Sequence, residues 1–86
     1  MRDYEKLFKA LANRRRLQIV KYLKTEKEAT VGEVAGYLKL SFKSTSKHLL
    51  ILMHADVVEK DQQGLSAFYS LAPHLPTLTK SVVGEL

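Results

Sequence analysis

The chain has 86 residues, which is enough for one domain and too few for two. It contains no cysteine, which excludes disulfide bonds, thiolate metal ligands and thiol-based redox sensing. Fourteen Lys and Arg residues against nine Asp and Glu residues give a formal net charge of +5, which suits a polyanionic partner such as a nucleic acid.

The sequence carries no recognisable membrane or export signal. Its longest apolar run, Leu49 to Met53, has five residues, whereas a membrane-spanning helix needs about 20. The opening residues, Met1 to Lys6, lack the apolar segment of a signal peptide. We therefore expect a cytoplasmic protein without membrane contact.

The positive charge is concentrated in two blocks. Residues 1–25 hold eight basic and two acidic residues, a net charge of +6, and residues 41–54 hold two Lys and no acid, a net charge of +2. The other residues hold four basic and seven acidic side chains, a net charge of −3. The positive charge is therefore clustered along the sequence, as expected for a protein that binds a polyanion.

Helical spacing of apolar residues defines the first two elements. Residues 3–12 predict an amphipathic helix because their apolar positions recur at i, i+3, i+4 and i+7: Tyr4, Leu7, Phe8 and Leu11. Asn13 is a good N-cap for a second helix over roughly 14–25. The three arginines Arg14 to Arg16 oppose the dipole of that helix. They indicate either an anion held nearby or a solvated basic turn.

The third and fourth helices are predicted by their caps. Thr30 and Glu33 have the spacing of a capping box, and Ser41 can cap a fourth helix that runs to about Ala55. The inward positions of the fourth helix form one stripe: Thr45, Leu49 and Leu52. Its second half is apolar on all sides, which predicts burial, whereas its first half is polar and free of acid.

A hairpin and a last helix complete the predicted elements. Val57 to Asp61 and Ser66 to Leu71 are rich in β-forming residues, and Gly64 supplies the turn between them. Residues 74–86 predict a final helix, started by two prolines, with an apolar stripe: Leu75, Leu78, Val82, Val83 and Leu86.

Together these elements predict a mainly α fold with a small β-hairpin, forming one domain over 1–86. Residues 30–55 have the form of a helix-turn-helix, and the hairpin over 57–71 makes it winged. The major groove of DNA is about 12 Å wide and admits one helix. A helix that enters it needs hydrogen-bond donors and no carboxylates at its front, which the fourth helix provides.

Three stretches of the sequence resemble the ArsR-type winged-helix repressors. They are Phe8 to Val20, which spans the first two helices, Ser41 to Leu52 in the recognition helix, and Val57 to Leu71 in the wing. The resemblance covers roughly residues 5–72. It implies a homodimeric DNA-binding repressor, often released from DNA by a metal ion or another signal.

The resemblance also implies which residues contact double-stranded DNA. Lys47 would reach a phosphate or a guanine edge, and His48 would bind a phosphate or pack beside the wing. Phe42 departs from the family pattern, and we expect it to tuck inward above Thr45 rather than contact a thymine methyl. Arg16 lies on the inner edge of its helix, which favours a structural role. The predicted DNA-contacting residues are Arg14, Arg15, Ser41, Lys43, Ser44, Ser46, Lys47, His48 and Gln63.

In the resembled family the first and last helices form the dimer interface. Two terminal helices with apolar stripes are more than one small core needs, which independently favours a dimer. The alternative is that the last helix folds back on its own chain. The predicted interface, within 3–12 and 74–86, comprises Tyr4, Leu7, Phe8, Leu75, Leu78, Val82, Val83 and Leu86.

The chain departs from the metal-sensing members of the family. Its third helix has no cysteine. His74 and Glu85, near the end of the chain, are eleven residues apart and do not have the spacing of a metal site. We therefore expect no metal and no cofactor, and the sequence does not identify a small-molecule effector. The wing tip lacks the arginine that is usual in the family, so we expect its contact with DNA to be weak.

The sequence predicts a sequence-specific regulator that acts on an inverted-repeat operator. Two other functions are alternatives to it. Leu50 and Met53 occupy positions that are polar in the family. They are either additional core residues or part of an interaction surface. The second reading would make the chain a winged-helix protein-interaction module. An enzyme is disfavoured because Ser44 and His48, four residues apart on one helix, have no group to orient the imidazole.

Overall fold

A computed structural model describes residues 3–86, and Arg2 of the first basic block lies outside the described residues. Within that range the chain forms five helices and three strands. In chain order they are α1 (Tyr4–Leu11), α2 (Arg14–Glu26), β1 (Glu28–Ala29), α3 (Val31–Leu38), α4 (Phe42–His54), β2 (Val58–Gln63), β3 (Ser66–Leu71) and α5 (Thr77–Glu85). The predicted winged helix-turn-helix is confirmed: α3 and α4 form the helix-turn-helix and β2–β3 the wing.

The predicted helix caps are confirmed by their hydrogen bonds. Asn13 Oδ1 accepts from the backbone N–H of Arg16 at 3.1 Å. Thr30 Oγ1 accepts from the N–H of Glu33 at 3.2 Å, and Glu33 Oε1 accepts from the N–H of Thr30 at 2.9 Å, which closes the capping box. Each cap satisfies N–H groups that the first helical turn leaves without a partner.

The core lies between α2, α3, α4 and the base of the wing, and α1 and α5 contribute further buried side chains, including Leu7, Leu11 and Val83. The inward stripe predicted for α4 is confirmed, and the side chains that are fully or almost fully buried include Ile19, Val20, Leu23, Val34, Thr45, Leu49, Leu52 and Val57. This packing holds α4 by its rear face only, so the opposite face of the helix is left outside the core.

The sheet has one strand that the sequence did not predict. β1 pairs antiparallel with β3, with Ala29 opposite Tyr69, so the strand order is β1-β3-β2. A strand of two residues is too short to show alternation of polar and apolar positions, which is why periodicity missed it. The hairpin turn is tighter than predicted, because β2 continues to Gln63 and only Gly64, with φ +64°, and Leu65 connect the strands.

Two further predictions were wrong in detail. α5 begins at Thr77 rather than at residue 74, because Pro76 disfavours helical backbone at the residue before it and occupies the N-cap position. The apolar second half of α4 is not wholly buried, since Leu50 is 50% exposed and Ile51 is 41% exposed. A helix on the surface of a small domain has only one face to bury. No helix of the described residues is long and apolar enough to cross a membrane.

Candidate nucleic-acid interface

Helix α4 presents a basic front face to solvent. Lys43 and Lys47 are exposed, whereas Ser44 and Ser46 are partly buried beside them. The first turn of α4 contains no acidic residue, so the positive end of the helix dipole is not neutralised from within. The buried side chains of the opposite face fix this front in one orientation.

The start of α4 is held by two hydroxyl groups. Ser41 Oγ accepts from the N–H of Ser44 at 3.1 Å, which confirms Ser41 as the N-cap. The buried Thr45 donates its hydroxyl to the carbonyl oxygen of Ser41 at 2.9 Å. Ser41 is exposed, so its hydroxyl proton is still available to a partner.

Arg15 brings the first basic block next to the helix-turn-helix. Its Nη1 donates to the carbonyl oxygen of Leu38, at the carboxyl end of α3, at 3.2 Å. Arg14 precedes it on α2 and is exposed. The two basic blocks are therefore neighbours in space, although Arg15 and Lys43 are far apart in sequence.

Arg16 has the structural role that the sequence predicted. Its guanidinium donates to the carbonyl oxygens of Ala10 at 2.6 Å and Lys9 at 3.1 Å. Its Nη1 lies 3.2 Å from Nδ1 of His48. The contact between Arg16 and His48 joins residues 32 positions apart, and no sequence spacing could have indicated it.

His48 is a partly buried group beside two cations. Burial lowers the pKa of His48 below its usual range, and the charges of Arg16 and Arg15 lower it further. The lowered pKa favours a neutral imidazole near pH 7.

The tip of the wing is uncharged and contains an exposed apolar side chain. Gln63 is exposed and donates its amide to Asp61 Oδ2 at 2.9 Å. Leu65 at the turn is fully exposed. The sequence indicated only a missing arginine here and not the full exposure of Leu65.

Phe42 does not tuck inward, and the expectation that it would was wrong. Its side chain is 64% exposed. The buried hydroxyl of Thr45 donates to the carbonyl oxygen of Ser41 and is not covered by the Phe42 ring. Phe42 therefore belongs to the exposed front of α4, next to Lys43.

The residues predicted for the dimer interface fall into two groups. Tyr4, Phe8 and Leu78 are exposed, and the rings of Tyr4 and Phe8 stack with centroids 6.2 Å apart. The others are in or against the core of the same chain: Leu7 and Val83 are buried, and Leu75, Val82 and Leu86 are partly buried. The last helix thus folds back on its own chain and still leaves an apolar strip outside.

Metal-ligating residues do not converge in the described part of the chain. Within residues 3–86 no group of three or more His, Asp or Glu side chains is placed to hold a metal ion.

The fold and the basic front face of α4 define a winged helix-turn-helix transcriptional regulator. Residues 13–60 match the family model described as bacterial regulatory protein, arsR family. The chain belongs to this family, which confirms the resemblance found in the sequence. The family places the chain among regulators rather than enzymes.

Individual relatives agree with this assignment. The arsenical resistance operon repressor of Bacillus subtilis is 32% identical over 71 residues, which are 83% of this chain and 68% of the repressor. The structure of reduced HlyU from Vibrio cholerae is similar with a TM-score of 0.81 and 35% identity, over 96% of this chain and 83% of HlyU. The homodimeric winged helix-turn-helix DNA-binding domain Mb0332 from Mycobacterium bovis has a TM-score of 0.81 and 27% identity, over 95% of this chain and 72% of that one. The chain thus spans about two thirds of the length of the Bacillus subtilis repressor.

Proposed function

We propose that the chain is a sequence-specific repressor that binds double-stranded DNA as a homodimer on an inverted-repeat operator. The observation that carries this proposal is the exposed, carboxylate-free front of α4, with Lys43 and Lys47, beside the basic start of α2. Two copies related by a two-fold axis would place their α4 helices in successive major grooves, about 10–10.5 bp apart.

The contacts with DNA divide into base readout and phosphate binding. Lys43, Lys47 and the serines Ser44 and Ser46 lie on α4, and they read base edges or nearby phosphates. Arg14 and Arg15 flank the groove as phosphate contacts, and the exposed hydroxyl of Ser41 adds a donor at the helix start. His48 meets a phosphate, and Gln63 gives the wing a weak contact.

The dimer forms through the terminal helices. Tyr4, Phe8 and Leu78 supply the exposed apolar surface, while Leu7 and Val83 support it from the core. An apolar strip of this kind on a small domain is stabilised when a second copy covers it. The homodimeric state of the similar domain from Mycobacterium bovis supports a dimer. No metal or cofactor takes part.

Replacement of Lys47 by alanine tests the α4 face directly. Lys47→Ala is expected to weaken operator binding by about 1–3 kcal/mol if the side chain reads a guanine edge, and to relax specificity at that position. If Lys47 contacts a phosphate instead, binding falls for all sequences and the salt dependence decreases by about one ion per chain. A gel-shift titration at several salt concentrations distinguishes the two roles.

Lys21→Ala is the matched control for this experiment, because Lys21 is exposed on α2 and lies outside the proposed DNA-contacting residues. Equal operator affinity of Lys47→Ala and wild type would contradict the placement of α4 in the groove.

The exposed side chains of Leu50 and Ile51 favour a second candidate, a winged-helix protein-interaction module. This candidate would replace the first if the chain failed to select any duplex from a random pool while remaining folded and dimeric.

A further inference from the structure

One guanidinium group connects three helices of the domain. Arg16 lies in the first turn of α2, and its Nε and Nη2 donate to the carbonyl oxygens of Ala10 and Lys9 at the end of α1. Its Nη1 lies 3.2 Å from Nδ1 of His48 in α4. Arg16 is partly buried, as are its contacts with Ala10 and His48, whereas its contact with Lys9 is exposed.

The chemistry of this contact determines the protonation state of His48. A guanidinium is always charged and can only donate hydrogen bonds. Nδ1 of His48 must therefore be the acceptor and carry no proton. A neutral imidazole has one N–H group, so its proton is on Nε2. Burial and the charges of Arg15 and Arg16 on α2 lower the pKa of His48, which agrees with a neutral ring.

We propose that Arg16 is a positioning residue that fixes His48 as its Nε2–H tautomer and so makes it an uncharged hydrogen-bond donor to a DNA phosphate. The proposal rests on the proposed function, because it assigns the partner of Nε2 to the DNA. Nε2 has no hydrogen-bond partner among residues 3–86 and is not fully buried, so its N–H can donate to an acceptor outside the chain. A phosphate oxygen beside the front of α4 is such an acceptor.

The Arg16 guanidinium also connects α1, a helix of the proposed dimer interface, to α4, the recognition helix. Because Arg16 binds the last carbonyls of α1 and the side chain of His48 together, the position of His48 depends on the end of α1. In the proposed dimer, α1 is held by the partner copy. Arg16 thereby places the His48 donor at a fixed distance from the two-fold axis.

The tautomer can be measured without DNA. Nitrogen-15 NMR of the imidazole in the wild-type chain at pH 7.5 is expected to show His48 neutral, protonated on Nε2 and unprotonated on Nδ1. A Nδ1–H tautomer or a charged imidazolium at that pH would overturn the proposal. This result does not depend on any variant being folded or on any DNA being bound.

Binding measurements then test the role of Arg16. Arg16→Gln is expected to mix the two His48 tautomers. It should weaken operator binding about tenfold, because the hydrogen bond from His48 to the charged phosphate is then no longer fixed. Arg16→Lys, which keeps the charge and one donor, should restore part of the affinity. Lys21→Gln removes a charge from the same helix at an exposed position and should change neither the tautomer nor the affinity.

A double-mutant cycle shows whether Arg16 acts through His48. In the His48→Phe background, Arg16→Gln should have little further effect on operator affinity. An equal loss in both backgrounds would mean that Arg16 acts independently of His48 and would overturn the proposal.

The salt dependence gives a second, independent readout. An uncharged donor releases no counterion, so His48→Gln should lower the affinity at pH 7.5 and leave the slope of log K against log salt unchanged. A slope reduced by about one ion per chain would show a charged His48 and contradict the proposal. If the wild-type chain bound no duplex at all, the proposed function would fail, and the NMR result would still decide the tautomer.

Discussion

Two threonines are fully buried in the domain, and only one of them has a hydrogen-bond partner for its hydroxyl group. Thr45 donates to the carbonyl oxygen of Ser41 at 2.9 Å. Thr79 in α5 has no hydrogen-bond partner for its Oγ1 within the described chain. A buried hydroxyl without a partner costs stability, whereas a satisfied one contributes modestly to it.

This difference predicts opposite effects of the same substitution. Thr79→Val should raise the free energy of unfolding by about 1 kcal/mol, because valine has a similar shape and no polar atom to desolvate. Thr45→Val is the matched control and should lower it by about 1 kcal/mol through the lost hydrogen bond. Urea denaturation at one protein concentration measures both. A loss of stability on Thr79→Val would contradict an unsatisfied hydroxyl at this position.

Single residues of the site were predictable to different degrees. The structural role of Arg16 followed from its place on the inner edge of a helix, and the cap at Ser41 followed from local sequence alone. The contact between Arg16 and His48 and the exposure of Phe42 depend on how helices pack. Tertiary contacts of this kind leave no local pattern in the sequence.

At the scale of elements, local signals predicted what local forces determine. The capping box of α3 was found from Thr30 and Glu33 because the cap involves only neighbouring residues. β1 was missed because its two residues are ordered by pairing with the distant β3. The exposure of Leu50 was misjudged because apolar residues on all sides of a helix do not show where the core ends.

The capping box gives a prediction for α3. Thr30→Ala should lower the free energy of unfolding by about 1 kcal/mol, because the N–H of Glu33 loses its acceptor. Thr25→Ala is a suitable control, since the hydroxyl of Thr25 is exposed and makes only a 3.4 Å contact with the Lys21 carbonyl. Its effect should stay within about 0.5 kcal/mol. Equal effects of the two substitutions in thermal or urea unfolding would contradict the stabilising role of the cap.

At the scale of the whole molecule, the single chain leaves an apolar strip of its terminal helices exposed: Tyr4 and Phe8 on α1 and Leu78 on α5. Phe8 is 52% exposed and stacks on Tyr4. The strip lies on helices that also contribute to the core, so a second copy would extend the core across the two-fold axis.

A charge in this strip should separate the proposed dimer. Phe8→Glu is expected to weaken dimerisation by about 2 kcal/mol or more, about 30-fold in the dissociation constant, because it places a carboxylate in an apolar interface. Leu65→Glu introduces the same charge at the exposed wing tip and should leave the dimer intact. Sedimentation velocity measures the oligomeric state, and an unchanged dimer in Phe8→Glu would place the interface elsewhere.

Selection of bound duplexes from a random pool, with the molar mass of the complex measured in parallel, tests the central claim most directly. If the basic fronts of two α4 helices enter successive major grooves, the selected sites will be inverted repeats with half-sites about 10–10.5 bp apart. Each duplex will then carry two chains. Recovery of unrelated sequences, or of a single half-site bound by one chain, would contradict the account.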